Sequence, residues 1–192
     1  MSGIGEGSGE SNCPEETGAR LPSTRQLSAE THPHLAAFVD FLPELNRESD
    51  RGQSLVACSY LDDLLKRTLS AHFANQEVGL KLVEGFNAPL GTFSTRIAAA
   101  FALGLVTERE YRELETLRRI RNRFAHEVHV SFETNAVRDL CGNLSMAAPN
   151  YGDIVVDARG QHSTAACGLI LTLTNRPEYV RRARRSPQVW PY

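Results

Sequence analysis

Four cysteines in 192 residues, Cys13, Cys58, Cys141 and Cys167, lie too far apart to form a CxxC pair. A structural zinc site needs closely spaced ligand pairs, so none is expected, and neither a metal nor another cofactor is. Scattered thiols of this kind read as reduced core fillers. The chain also lacks any apolar run near the ~18–20 residues of a membrane span. Its start has no basic segment followed by an apolar stretch, so no signal peptide is expected and the chain reads as cytosolic with no membrane partner. Charge of one sign is missing as well: the net charge is -2, which argues against nucleic-acid attraction by the whole-molecule field. The Gly85–Gly91 loop lacks the Gly-Lys-Ser/Thr ending of a phosphate-binding P-loop. No helix-turn-helix, zinc finger or RNA-recognition signature is readable.

What remains is the composition of an ordinary globular domain, 41% hydrophobic and 23% charged, in a chain long enough for one real core. Residues 1–32 are rich in Gly, Ser, Glu and Thr and poor in large apolar side chains. Such a segment buries too little surface to offset its conformational entropy, so it reads as a disordered tail. A helical domain is expected over 33–175 and a basic tail over 176–192.

Within the domain the apolar spacing is helical as far as His126 and weakens after it. Leu35, Phe38, Phe41, Leu42 and Leu45 recur at three and four, with Pro43 placed to end or kink that helix. Ser49 can cap a long helix from about Asp50 to Phe73, with Leu61, Leu65, Leu69 and Phe73 on one stripe. Residues 85–92 are a loop of turn formers. Phe93–Leu103 is a small-residue helix, expected near the bundle centre, with Gly104 as its left-handed terminus. Thr107-Glu108-Arg109-Glu110 is a capping box that opens a helix to about Ala125, its core face being Tyr111, Leu114, Leu117, Ile120 and Phe124. Helices are further expected over Phe132–Leu144 and Pro177–Arg185, with a short extended piece at Asp153–Asp157; the apolar run Thr164–Thr174 fits either a buried helix or a strand and reads better as a helix. The fold class is therefore all-α, a single helical bundle.

The chemistry concentrates in Arg118-Arg119-Ile120-Arg121-Asn122-Arg123-Phe124-Ala125-His126. At about 100° per residue, Arg118, Asn122 and His126 span roughly 80° of the helix, and Arg121 lies about 60° to the other side of Arg118. Two readings compete. In the first, His126 moves a proton, Arg121 meets a phosphate and Asn122 orients either, a metal-independent attack of an RNA 2′-hydroxyl. In the second, the arginines pair with acids such as Asp62 and Asp63, and Asp50, Arg51, Asp62, Asp63, Arg96, Arg118 and Arg121 form a polar hub. A buried hub would lose about 3–5 kcal/mol on Arg121→Ala, whereas a nuclease would fold and lose activity. The start Glu48-Ser49-Asp50-Arg51-Gly52 reads as a helix cap with acids at its positive end, or as a ligand or dimer contact. Arg181, Arg182, Arg184 and Arg185 form a basic run that either binds nucleic-acid phosphates or is a solvated tail.

Several blocks together resemble the mannitol operon repressor (MltR-like) family over about residues 35–145. They are Glu48-Ser49-Asp50-Arg51-Gly52, Tyr60-Leu61-Asp62-Asp63, Gly85-Phe86-Asn87-Ala88-Pro89-Leu90-Gly91-Thr92-Phe93-Ser94-Thr95-Arg96-Ile97, Ala102-Leu103-Gly104-Leu105 and Ile120-Arg121-Asn122-Arg123-Phe124-Ala125-His126. The resemblance implies an all-helical bacterial cytoplasmic regulator. The named member represses transcription of sugar-alcohol uptake genes, and without a DNA-binding motif it would act through a protein or RNA. Arg121-Asn122-x3-His126 also resembles the HEPN superfamily, in whose ribonucleases paired helices of two protomers form the RNA-cutting cleft. The expectation is a homodimeric, non-enzymatic regulatory or interaction module with a protein or nucleic-acid partner. The alternative is a HEPN-type ribonuclease using Arg121, Asn122 and His126.

Overall fold

The computed structural model describes residues 35–191, and the expected disordered tail over 1–32 lies outside them. Its helices are α1 (Ala36–Arg47), α2 (Asp50–His72), α3 (Gln76–Val83), α4 (Phe93–Ala102), α5 (Glu108–His126), α6 (Asn135–Gly142), α7 (Ala158–Thr174) and α8 (Arg176–Arg182). Among the described residues the only strand-like pairing is an isolated antiparallel bridge between Tyr151 and Ile154. The protein is all-α. Among the described residues no helix is long and apolar enough to cross a membrane.

The long helix α2 is the axis of the bundle and touches α1, α3, α4, α5, α7 and α8. Ser49 starts it by accepting from the Gly52 N–H at 3.1 Å, as its position predicts. Leu61, Leu64, Leu65 and Leu69 are fully buried along it. Each contributes about 1.5–3 kcal/mol of apolar transfer. Gln53, Ser54 and Thr68 are buried on the same helix, so its core-facing surface is wider than the leucine stripe.

The small-residue helix α4 is not at the centre, contrary to its composition. It buries Phe93, Arg96, Ile97 and Ala100, while Ala98, Phe101 and Ala102 face out. Alanine offers little area to bury, and the long leucine-bearing helix takes the central place. Gly104 does adopt the left-handed conformation (φ 67°), and Leu105 N–H returns to Ala100 O at 2.8 Å to close the helix end.

Helix α5 begins with the capping box of Thr107 and Glu110 and buries Leu114, Leu117, Ile120 and Phe124 completely. It packs on α2, α4 and α6. Pro43 sits inside α1, which runs on past it to Arg47. The sequence reading had no α3, although Asn75 caps it through the Val78 N–H at 3.0 Å. Helix α7 starts six residues before the expected Thr164, because Asp157 caps it through the Gly160 N–H at 2.7 Å. Helix α6 is shorter than expected: Phe132 is buried ahead of it, in the turn that Ser131 and Thr134 close.

The basic segment is anchored rather than loose at its start. Arg176 donates to Leu105 O at 2.6 Å and to Glu110 Oε1 at 2.7 Å, and α8 lies against α2. Burial works to raise the Glu110 pKa, but the hydrogen bonds from Arg176 and Thr107 outweigh it and hold the carboxyl below its ordinary range.

Candidate functional site

The polar surface of α5 divides into separate groups. Arg118 donates to Glu115 on the same helix at 3.0 Å and 2.8 Å. Arg121 donates to the amide oxygen of Asn122 at 3.1 Å. Arg123 pairs with Glu127 at 2.8 Å. His126, in the last turn, is exposed. Five residues place it about 140° around the helix from Arg121. Arg121 and Asn122 line one pocket, and His126 is not among its lining residues.

Of the expected hub residues, Asp62, Arg118 and Arg121 line one pocket, but Asp62 and Asp63 do not pair with Arg121. Arg96, only 8% exposed, takes Asp62 at 2.7 Å, and also donates to Leu90 O at 2.9 Å and Val83 O at 3.0 Å. This one guanidinium ties α4 to α2, to the end of α3 and to the 84–92 loop. Asp63 faces outward and lies 3.8 Å from Arg67, one turn along α2. Arg51 reaches the far end of α5, donating to Phe124 O, to Glu127 O at 2.8 Å and to Val128 O at 3.1 Å. It thus places a cation on the negative end of that helix. Asp50 accepts from the Phe132 N–H at 3.2 Å and from Arg159, whose guanidinium also donates to Glu48 O at 2.6 Å. Asp50 and Arg51 are thus joints between α2 and its neighbours.

A pocket of about 370 Å³ opens where α2, the start of α4 and α5 converge. Asp62 comes from α2, Thr92 and Ser94 from the start of α4, and Arg118, Arg121 and Asn122 from α5. Asp62 Oδ2 is held by Arg96, and its buried Oδ1 has no hydrogen-bond partner. Beneath lies Cys58, whose thiol donates to Leu117 O at 3.6 Å. Burial pushes this thiol up to about 12, while Arg121 pulls it down and Asp62 adds to the rise, so both charges act on one spot. A thiol with that pKa is not a nucleophile.

A larger groove of about 610 Å³ lies on the other side of α5, against α6, and Asn122 borders it as well. Its Arg119, Arg123, Glu127 and Asp139 balance in sign. In the C-terminal run, Arg181 and Arg182 both bond Glu178, at 2.6 Å and 2.8 Å, and these bonds hold the Glu178 carboxyl below its usual range. Arg184 and Arg185 are exposed beyond α8. Among the described residues no group of three or more His, Cys, Asp or Glu side chains could hold a metal.

Sequence reasoning missed Ser94, Arg159, Glu113 and His162. Ser94 follows Thr92, whose Thr92–Thr95 capping box was the readable signal. Glu113 lies on the core stripe of α5, four residues before Leu117. It is buried, accepting from Ser145 N–H at 3.0 Å and Met146 N–H at 2.8 Å. His162 is fully buried with both ring nitrogens unpartnered, against Phe132 at 5.1 Å. Nothing in its immediate sequence marks it as buried.

The chain matches no family model, no curated protein and no solved structure.

Proposed function

We propose that this protein is a non-enzymatic regulatory module that resembles the mannitol operon repressor family and acts on transcription through a protein or nucleic-acid partner. One observation carries this reading: Arg121 and Asn122 bond each other inside a pocket that His126, on the exposed last turn about 140° from Arg121, does not line. A proton-transfer group must come within about 3 Å of the reacting oxygen, and within a protomer the three side chains do not converge.

The second reading, a metal-independent HEPN-type ribonuclease, rests on the exposure of His126. A second protomer could bring its own His126 to this Arg121 and Asn122, making a composite cleft in a homodimer. RNA incubated with the purified protein in EDTA, beside His126→Ala, separates the two. The regulatory reading expects no cleavage by either protein. Cleavage by the wild type that is lost in His126→Ala replaces it with the nuclease.

A further inference from the structure

The chain ends on its most one-sided stretch of charge. Residues 176–192 hold five arginines and one acid, Glu178, in a protein whose net charge is -2. Arg176 is turned inward onto Glu110 at 2.7 Å. Glu178 is shared by Arg181 at 2.6 Å and Arg182 at 2.8 Å, so one carboxylate meets two guanidinium groups. Arg184 and Arg185 follow α8, exposed and, among the described residues, without an ion pair. Four outward arginines thus share one acid. At physiological salt a charge is screened within about 8 Å, so acids elsewhere on the molecule do not offset this local excess.

The same stretch carries the single tryptophan of the chain. Trp190 is 76% exposed. Tryptophan is highly buried on average in folded proteins, so a ring held nearly bare is the exception. Pro187 and Pro191 bracket it, and residues 184–191 have no regular structure. Proline fixes φ and offers no N–H, which keeps such a segment extended. Tyr179, 62% exposed on α8, is a second ring, three residues before Arg182 and so a neighbour on the helix surface. The strip is mounted firmly at its start: Arg176 bonds Leu105 O and Glu110, and α8 packs on α2. Guanidinium groups and aromatic faces therefore lie along one strip that is fixed to the bundle at one end.

We infer that this segment binds single-stranded nucleic acid, its arginines taking backbone phosphates and Trp190 stacking on a base. The segment has no lysine. Guanidinium is planar: it meets phosphate oxygens in pairs and stacks on rings. An unpaired base offers its face to an indole, whereas a base inside a duplex is covered by its neighbours, so Trp190 favours a single strand. An anionic lipid surface attracts the same charges. The two prolines, however, oppose the amphipathic helix that lies in such a surface, and Val189 and Trp190 are the only large apolar side chains of residues 183–191. The inference rests on the regulatory reading and deepens it. It gives the partner a chemical class and a place on the chain outside the pocket of Arg121 and Asn122.

The test titrates the full chain, at several salt concentrations, with labelled oligodeoxythymidine, labelled oligouridine, a DNA duplex of the same length and vesicles of anionic lipid. The deoxy strand lacks the 2′-hydroxyl that a ribonuclease needs, so binding is read apart from cleavage and the two readings fail separately. Both single strands should bind more tightly than the duplex and quench the emission of Trp190. Whichever strand binds more tightly supports the inference and names the sugar. Trp190→Leu should weaken single-strand binding about fivefold or more and leave the salt dependence unchanged. Arg184→Gln with Arg185→Gln should lower the slope of log affinity on log salt by about 1.4, at roughly 0.7 per phosphate contact. All three residues are exposed, so these variants should unfold like the wild type. The inference is overturned if neither strand binds, which leaves a protein as the partner, or if binding leaves the Trp190 emission unchanged. It is equally overturned if the duplex binds as tightly as the single strands, if the variants bind like the wild type, or if only the vesicles shift the emission.

Discussion

Arg96 and Arg121 border the same stretch of α2 and have opposite surroundings. Arg96 is buried and divides its N–H groups among one carboxylate and two carbonyls. Arg121 is half-buried and has one neutral amide. Side chains of the same type serve in one case as a joint between helices and in the other as a partly exposed donor. A hydrogen-bond inventory, not residue type, tells them apart.

The comparison breaks most sharply at Arg96. Arg96→Ala strips the partners of Asp62, Leu90 O and Val83 O at once and should cost about 3–5 kcal/mol in urea unfolding. A cost near 1 kcal/mol would mean that α4 and the 84–92 loop are held otherwise.

The next effect lies on the flank of α2 that meets α7. His162 lacks a hydrogen-bond partner and cannot reach solvent. Burial, with a smaller push from the Arg159 charge, lowers its pKa to about 4. In the unfolded chain it protonates near its ordinary 6.5. Between those values the unfolded state binds more protons, so stability falls as pH drops from about 6.5 to about 4. The loss should reach roughly 3 kcal/mol. Unfolding midpoints of the wild type and His162→Leu across that window check it: the wild type should lose stability on acidification relative to His162→Leu, which lacks the titrating ring. Parallel curves would place the ring in contact with water.

The smallest effect belongs to Arg121. Arg121→Ala should change stability by under about 1 kcal/mol, since no ion pair is broken. This is well short of the about 3–5 kcal/mol that a buried hub would lose. A loss of that size would return Arg121 to the structural class of Arg96.

Local signals were the legible ones. The caps at Ser49 and Thr107 and the left-handed Gly104 depend on residues within one turn, and the structure has each of them. Long apolar stripes placed α2 and α5 for the same reason. The missed or misplaced pieces depended on partners distant in sequence. Helix α7 begins with Arg159, Gln161 and His162, which look solvent-facing until Asp50 and Phe132 meet them. The expected pairing of Arg121 with Asp62 or Asp63 did not form, because spacing along a helix gives an angle but no partner. Asp62 met Arg96, 34 residues on, rather than an arginine of α5.

By itself, then, the sequence determined that the chain is helical, where most helices start and which faces carry leucine, because capping and amphipathic periodicity are short-range effects. Only the tertiary structure decided that α2 and not α4 is the axis. It alone decided that Arg96 is paired with a carboxylate while Arg121 is not, and that Ser94 and Arg121 line one pocket. Those outcomes turn on burial and on charge compensation across the bundle, which are set by how the helices pack.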